Sequence, residues 1–359
     1  MPTDAQLETL AERLSRDHLV DGIVYVRWGE RYGTGADNAL FSGLSTMQAA
    51  FRLACEPTLL NLARLHEGLY GLDVLTSATG TPGVLTRLAF PLENAWERIG
   101  YDPANTNMSN TWTRRKAEGW LYEIDGRLVL TRVTRDQLVG VIAGLSAAHV
   151  VLTSGVESVD PFIESQCLRC IERVTGNLRR RLDETRGSLR DHTGRTHGTR
   201  AHRARAPLRH ALRLLDHHVN VTPLRGSLKW MYRWPWLFTW YYRFTRDTFA
   251  WNLRLTTALT LWLLGEKDAK RWVERCWRFV DHHNPWFQGI AETVGIPIKP
   301  RAKVVANARM ELLLQRGYGG FFAWQKDWGE WGAPDRIGPG IDVLLPAYLQ
   351  RWAEKERAA

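Results

Sequence analysis

The sequence predicts an all-α protein, built from helical hairpins that close into an (α/α) toroid or stack into a short solenoid. Helical periodicity covers most of the 359 residues, and most helical patterns are adjacent pairs with short connections. Strand signal is confined to residues 22–28 and to one small β-hairpin at 119–132. Long loops rich in Gly, Pro, Asn and Trp separate the hairpins, at residues 79–115, 183–205, 219–236 and 284–303.

Ten segments carry apolar residues at helical spacing. They are residues 4–18, 38–54, 56–77, 136–152, 158–182, 206–218, 247–264, 266–283, 304–316 and 341–356. No linker-like stretch separates two cores, so a single domain over residues 1–359 is predicted. The segment at about 183–205 has almost no apolar residues, and it is predicted to be a basic, flexible insertion.

Asp136 lies where the predicted hairpin leads into a helix. Residues 119–132 alternate and turn at Asp125-Gly126, as a hairpin does. Thr134 and Gln137 have the spacing of a capping box, which by itself explains an acid in the first helical turn.

Asp37 has the same setting as Asp136, because it follows a Gly-rich loop and precedes the helix at 38–54. A helix-capping role explains this residue too. The alternative is that the two acids are the general acid and the base or nucleophile of a glycosidase.

Composition points to a globular chain with a local excess of positive charge. Apolar residues make up 44% and charged residues 24% of the chain, and there are 17 Trp. The net charge is +10, and the stretch from Arg179 to Arg209 holds ten arginines against three acids. This stretch could attract nucleic acid or an anionic substrate, although a solvated insertion is the simpler interpretation.

The four cysteines predict neither a disulfide framework nor a zinc site. Cys167 and Cys170 form a C-x-x-C pair inside a helical pattern, without a second pair of ligands at zinc spacing. We therefore expect no metal, no cofactor, reduced thiols and a cytoplasmic location. The N-terminal segment lacks the features of a signal peptide, and no transmembrane segment is expected.

Several side chains are candidates for holding a substrate. Arg87 follows a loop with two turn glycines, and a guanidinium can grip a carboxylate or sulfate group. The Asn-rich stretch 105–112 ends in an aromatic ring, which is a composition suited to sugars. The full set of predicted substrate-binding residues is Trp28, Arg87, Trp112, Arg132, Gln137 and Trp286.

Five short motifs, in order along the chain, resemble those of bacterial six-hairpin, glycosidase-like (α/α) toroid proteins. They are the segments Asp37–Gly43, Thr79–Arg87, Thr131–Gln137, Asn284–Phe287 and Gly340–Pro346. The resemblance implies a toroid and, loosely, carbohydrate chemistry, since characterised members of the wider class include unsaturated glucuronyl hydrolases, polysaccharide lyases and sugar epimerases. Fold alone does not fix function.

One departure from the pattern bears on activity. Arg132 stands where the third motif has its first acid, so an activity that needs this acid would be lost or changed, whereas Asp136 is retained. The leading hypothesis is a glycoside hydrolase acting on an anionic saccharide through Asp37 and Asp136. One alternative is a lyase, isomerase or dehydratase on a sugar or hydrophobic substrate, suited to the aromatic residues at 230–242; another is a non-catalytic protein that binds through Arg179–Arg209.

Overall fold

Helices form most of the protein in the computed structural model, as predicted. The structure describes residues 1–28, 30–33, 37–155, 157–195, 204, 206–222, 248–266, 268–315 and 336–358. Its helices are α1 (Asp4–His18), α2 (Asn38–Cys55), α3 (Leu59–Ser77), α4 (Ala95–Ile99), α5 (Thr111–Ala117), α6 (Arg135–Thr153), α7 (Pro161–Glu184), α8 (Ala206–Asn220), α9 (Thr248–Leu263), α10 (Ala269–Trp277), α11 (Pro285–Thr293), α12 (Pro300–Gln315) and α13 (Ile341–Ala358). The aromatic stretch 230–242 lies outside the described residues.

Three small antiparallel sheets accompany the helices, so the prediction of one hairpin was incomplete. The strands are β1 (Leu19–Val20), β2 (Ile23–Val24), β3 (Arg27–Trp28), β4 (Arg31–Tyr32), β5 (Leu88–Pro91), β6 (Leu121–Ile124), β7 (Arg127–Leu130) and β8 (Arg336–Ile337). The predicted hairpin is β6–β7, and β5 adds to it in the order β5-β7-β6. The other sheets are β1-β2 and β4-β3-β8. Pairings between strands far apart in sequence leave no local pattern, which is why β5 and β8 were missed.

A cycle of packed helices forms the centre of the described part of the chain. Helix α2 packs on α6, α6 on α9, α9 on α11 and α11 on α13, and α13 packs back on α2. Helices α3, α8 and α12 are not members of this cycle, and they pack on α2, α9 and α11 respectively. Helix α2 is buried from Asn38 to Ala54. A helix buried on all sides belongs to a core, and its uninterrupted burial explains its low amphipathicity.

Glycines bring α2 and α6 into backbone contact. A Cβ atom at Gly43 would overlap the backbone of Gly140, and a Cβ atom at Gly140 would overlap the carbonyl oxygen of Leu40. Gly144 meets the carbonyl oxygen of Gly43 in the same way. Because these positions lack side chains, the two helices cross at a short distance and their N-terminal ends are held near each other.

Helix α11 occupies a segment that was predicted to be a loop. The Asn284 side chain accepts hydrogen bonds from the backbone N–H groups of Trp286 at 3.0 Å and Phe287 at 3.4 Å. Pro285 fills the first helical position, where its missing N–H costs nothing. Asn284 and Pro285, inside the predicted loop 284–303, therefore begin a helix.

Helix α6 is the one described helix that is long and apolar enough to cross a membrane, and 72% of its apolar stretch is buried inside the protein. Core helices of globular proteins have this property. The finding is compatible with the predicted absence of a transmembrane segment.

Part of the predicted flexible insertion has defined contacts. Asp183 and Glu184 belong to α7, and Asp191, which is 1% exposed, accepts hydrogen bonds from the backbone N–H groups of Thr193 and Arg195. Residues 185–195 therefore form a turn that is anchored by a buried carboxylate. Residues 196–203 and 205 lie outside the described part of the chain.

Candidate functional site

The structure brings Asp37 and Asp136 together at the N-terminal ends of α2 and α6. The side-chain amide of Gln137 joins them, because its nitrogen donates to Asp37 Oδ1 at 2.7 Å and to Asp136 Oδ2 at 3.2 Å. Both oxygen atoms bond one nitrogen, so their separation is at most the sum of the two distances, about 6 Å. The two carboxyl groups therefore lie close enough to act on opposite sides of one glycosidic bond.

Local helix capping fixes the orientation of Gln137. Its side-chain oxygen accepts a hydrogen bond from the backbone N–H of Thr134 at 2.7 Å, as the predicted capping box requires. The Thr134 hydroxyl lies within hydrogen-bonding distance of Gln137 Oε1, at 2.6 Å, and of the Asp136 carboxylate. With its oxygen engaged in this way, the amide presents both N–H donors to the two acids.

Arg87 reaches the same cluster from the sheet. Its backbone N–H donates to the Leu130 carbonyl at 2.7 Å, at the point where β5 begins to pair with β7. Its guanidinium Nη2 lies 3.7 Å from Asp37 Oδ1, and it donates to Gln137 Oε1 at 3.3 Å and Thr134 Oγ1 at 3.4 Å. The side chains of Arg87 and Asp37 are 18% and 22% exposed, so this ion pair is largely shielded from solvent.

Asp37 does not cap its helix through its side chain. It precedes α2 in sequence, but its carboxylate makes no cap hydrogen bond to the described residues of that helix. Asp37 therefore occupies the N-cap position without a side-chain cap hydrogen bond, whereas Thr134 and Gln137 form the predicted capping box. The Asp37 carboxylate is directed instead to Gln137 and Arg87.

Burial and crowding of like charge perturb the cluster. Burial raises the pKa of Asp37, and the nearby charge of Asp136 raises it further, against the opposing effects of Arg87 and Gln137. Burial also lowers the pKa of Arg87, although both acids favour its charged form. A carboxyl group with a raised pKa beside a second carboxylate is the arrangement that glycosidases use for acid catalysis.

Cationic side chains surround the acids. Burial, followed by the charges of Arg87, Arg114 and Arg132, lowers the pKa of Arg115 to about 10. The guanidinium of Arg132 is exposed and lies 5.7 Å from the ring centre of Trp120. Such a cluster of guanidinium groups favours a ligand that carries carboxylate or sulfate groups.

Three of the predicted substrate-binding residues are buried inside the protein. Trp112 is 4% exposed and donates its indole N–H to the Ile99 carbonyl at 3.0 Å. Trp286 is fully buried, and its indole N–H donates to Asn252 Oδ1 at 2.8 Å. Because both rings are buried, neither has a free face for a sugar. Buried aromatic side chains usually fill a core. Gln137 is also fully buried, and its role is to position the acids.

The Asn-rich stretch has a structural role as well. The side-chain oxygens of Asn105, Asn107 and Asn110 accept hydrogen bonds from the backbone N–H groups of Asn107, Ser109 and Trp112. These are turn and cap interactions, which local sequence signals favour over ligand contacts. For Trp28, only the backbone position in β3 is described.

The sequence did not predict three residues: Arg115, whose pKa burial and the charge of Arg87 lower, Trp120, whose ring lies beside Arg132, and Arg195, which contacts Trp120. The guanidinium of Arg195 lies 4.2 Å from the ring centre of Trp120 and donates to the Glu118 carbonyl at 2.9 Å. A sequence signal for Trp120 existed, since it lies inside the predicted hairpin at 119–132. Arg195 comes from a distant loop and left no such signal.

Comparison with protein-family models, curated proteins and solved structures found no match to this chain. Within the described ranges, no group of three or more His, Cys, Asp or Glu side chains is placed to hold a metal ion.

Proposed function

We propose that this protein is an (α/α) toroid with glycoside hydrolase activity on an anionic saccharide. The cycle of contacts from α2 through α6, α9, α11 and α13 back to α2 supports the closed arrangement. The paired α3, α8 and α12 outside it would be the outer layer. In such a toroid the N-terminal ends of α2 and α6, and hence the acid pair, would lie at one end of the ring.

One observation carries the proposal for hydrolysis. A single buried amide, that of Gln137, donates to both Asp37 and Asp136, beside the guanidinium of Arg87. This brings two carboxyl groups close enough to flank one glycosidic bond, and their proximity favours a retaining mechanism. It also gives them different surroundings, which is the condition for dividing acid and nucleophile roles between two chemically identical groups.

The environment of each acid suggests its role. Asp37, whose pKa is raised by burial, would donate its proton to the glycosidic oxygen as the sugar–oxygen bond breaks. A carboxylate oxygen of Asp136 would attack the anomeric carbon, forming a glycosyl ester. Water would then hydrolyse this ester, with Asp37 taking the proton from the water.

The arginines define the expected substrate. Exposed Arg132 has no carboxylate partner among the residues that the structure describes, so its guanidinium would be open to an anionic ligand. Planar guanidinium groups bind carboxylate and sulfate groups through two parallel hydrogen bonds. A uronic acid or sulfated sugar fits this environment best.

The test is hydrolysis of a panel of uronate-containing and sulfated oligosaccharides, with the anomeric configuration of the first-formed product read by proton NMR. We expect retention of configuration, and loss of turnover in Asp37→Asn and in Asp136→Asn. Asp125→Asn is the matched control, because Asp125 is an exposed turn residue whose left-handed backbone Asn tolerates equally well. Inversion, or full activity in both site variants, would overturn the mechanism.

A second candidate is a lyase or epimerase acting on a uronate. The charges of Arg87, Arg115 and Arg132 act on one another, and such a cluster could stabilise the enolate formed when a proton is removed next to a carboxylate. A lyase product carries a new carbon–carbon double bond and absorbs ultraviolet light, whereas a hydrolysis product does not. An absorbing product would favour this candidate.

A further inference from the structure

A second cationic site lies beyond the acid pair, at the C-terminal end of α7. A pocket of about 360 Å³ is lined there by Arg181, Glu184, Thr185, Arg186, Arg190 and Gly194. Three arginines face one acid, so the lining carries an excess of positive charge. Arg181 is 3.8 Å from Glu184, and it donates to the Asp191 carbonyl at 3.0 Å.

The other two arginines of this pocket are available to a ligand. Arg186 and Arg190 are exposed, and neither has a carboxylate partner within the described part of the chain. The Nε atom of Arg181 is buried there without a hydrogen-bond partner. An anionic group bound in this cavity would accept a hydrogen bond from the unsatisfied donor and would pair with the two unpaired cations.

The backbone at Arg186 gives a second, independent indication. Arg186 has a φ of 51° and is followed by Gly187 with a φ of 80°, where α7 ends. A left-handed residue at the end of a helix is most often glycine, and another residue there costs about 1 kcal/mol. A long basic side chain kept at a strained position points to a use for that side chain.

A row of cations joins this pocket to the acid pair. Arg195, in the same turn as Arg190 and Gly194, lies over the ring of Trp120. Trp120 also contacts Arg132, which is four residues from Asp136. Ser188, Leu189 and Arg190 share a small cavity with Thr131 and Val133, so the turn packs directly against the segment that leads to the acids.

We propose that the pocket formed by Arg181, Arg186 and Arg190 is a binding subsite for a carboxylate or sulfate group of a polyanionic polysaccharide, whose chain also contacts Arg132 at the acid pair. This inference rests on the proposed function only for the path of the polysaccharide from the pocket to the acid pair. Anion binding in the pocket itself does not depend on hydrolysis. A polysaccharide is favoured over a nucleic acid because the nearby rings of Trp120 and Tyr122 are already engaged by Arg195 and His192. Base stacking needs free aromatic faces.

The experiment measures the binding of polygalacturonate and of heparin to the Asp37→Asn variant of the whole chain. This variant is the background for all measurements, so that turnover does not interfere. The test variant adds Arg186→Gly and Arg190→Ser. Its control adds Arg301→Ser and Arg357→Ser, which remove the same charge from exposed positions on α12 and α13. Arg186→Gly relieves a strained backbone, so the test variant is expected to remain folded.

We expect affinity for at least one polymer to fall about tenfold or more in the test variant and less than about twofold in the control. An unchanged affinity would overturn the subsite. Tighter binding of single-stranded DNA than of either polymer, lost in the same variant, would overturn the assignment to a polysaccharide. Absence of hydrolysis by the unmodified protein would count against the proposed function alone.

Discussion

Two arginines with little solvent exposure, Arg52 and Arg87, pair with acids whose pKa values shift in opposite directions. Arg52, in α2, is 3% exposed; it pairs with Glu8 and lies 5.5 Å from the ring centre of Tyr348. Arg87 pairs with Asp37 in the candidate site. Arg52 therefore joins α1 and α13 to the central helix, whereas Arg87 joins a sheet to the two helix ends that carry the acids.

The two clusters differ in how acids and arginines are matched. Burial would raise the pKa of Glu8, but Arg52 and Arg64 outweigh it and hold that pKa below its ordinary value. In the candidate site one arginine, Arg87, serves two acids, and the pKa of Asp37 is raised. Two cations beside one half-exposed acid favour its charged form and stabilise the fold. Two acids beside one partly buried cation leave one acid with a raised pKa, at some cost in stability, as the proposed catalytic role requires.

The largest effect on stability is expected from removing Arg52. Arg52→Ala leaves a cavity beside Tyr348 and removes the link between α2 and Glu8, so the free energy of unfolding should fall by about 3 kcal/mol. Urea unfolding measures this change. Arg64→Ala, which removes the second and more exposed partner of Glu8, is the control and should cost about 1 kcal/mol or less. Equal losses in the two variants would contradict a special role for Arg52.

A second prediction concerns the helix crossing that brings the acids together. Gly140→Ala inserts a methyl group into the backbone of α2, and it should lower the free energy of unfolding by about 2 kcal/mol. Gly176→Ala, on α7, is the matched control, because the nearest atom to its new Cβ is 3.6 Å away, on Asn220. The control should gain up to about 1 kcal/mol from helix propensity. If Gly140→Ala were equally benign, close packing would not be what holds the two acids together.

Much of this arrangement was predictable from local signals. The alternation and the Asp125-Gly126 turn gave the hairpin, and the structure confirms it, with φ values of 48° and 72° at the turn. Helical periodicity gave α2 and α6 with their acids at the start. The residues Asp37, Arg87 and Asp136, chosen from three separate motifs, meet in one cluster.

The missed features depend on contacts that no local pattern records. Nothing in a T-x-x-Q spacing shows that the Gln137 amide will span two carboxylates from different helices. An aromatic ring beside amide side chains is a composition found both in sugar sites and in buried helix caps. At Trp112 and Trp286 the structure shows helix caps and core packing. Burial is a tertiary property, which propensity cannot provide.

A third prediction compares the stability effects of neutralising Asp37 and Glu8. Asp37→Asn removes a charge that burial disfavours, so the free energy of unfolding should be unchanged or rise by up to about 1 kcal/mol. Glu8→Gln removes a charge that two arginines favour, and it should cost about 1 kcal/mol, because Glu8 is partly exposed. Thermal and urea unfolding of both variants would show this difference. A clear loss of stability in Asp37→Asn would identify Asp37 as a structural residue.

The smallest effect is on the pH dependence of stability. The folded protein binds the Asp37 proton more tightly than the unfolded chain does, so this group makes stability fall as pH rises from about 3.9 through its raised pKa. Glu8, with its lowered pKa, makes stability fall as pH drops below about 4.3. Unfolding free energies over a pH series should therefore lose the first slope in Asp37→Asn and the second in Glu8→Gln. The same slopes in both variants would contradict the assigned pKa directions.

The most direct test of the central claim is titration of the Asp37 carboxyl carbon by NMR, in protein labelled at aspartate and assigned by the signal missing from Asp37→Asn. Burial beside Asp136 predicts a pKa above the ordinary value of about 3.9, and a lower pKa in Asp136→Asn, where the repulsion is gone. An Asp37 pKa at or below the ordinary value would show that Arg87 and Gln137 dominate its environment. The cluster would then be a structural ion pair like that of Arg52, with no acid poised to donate a proton.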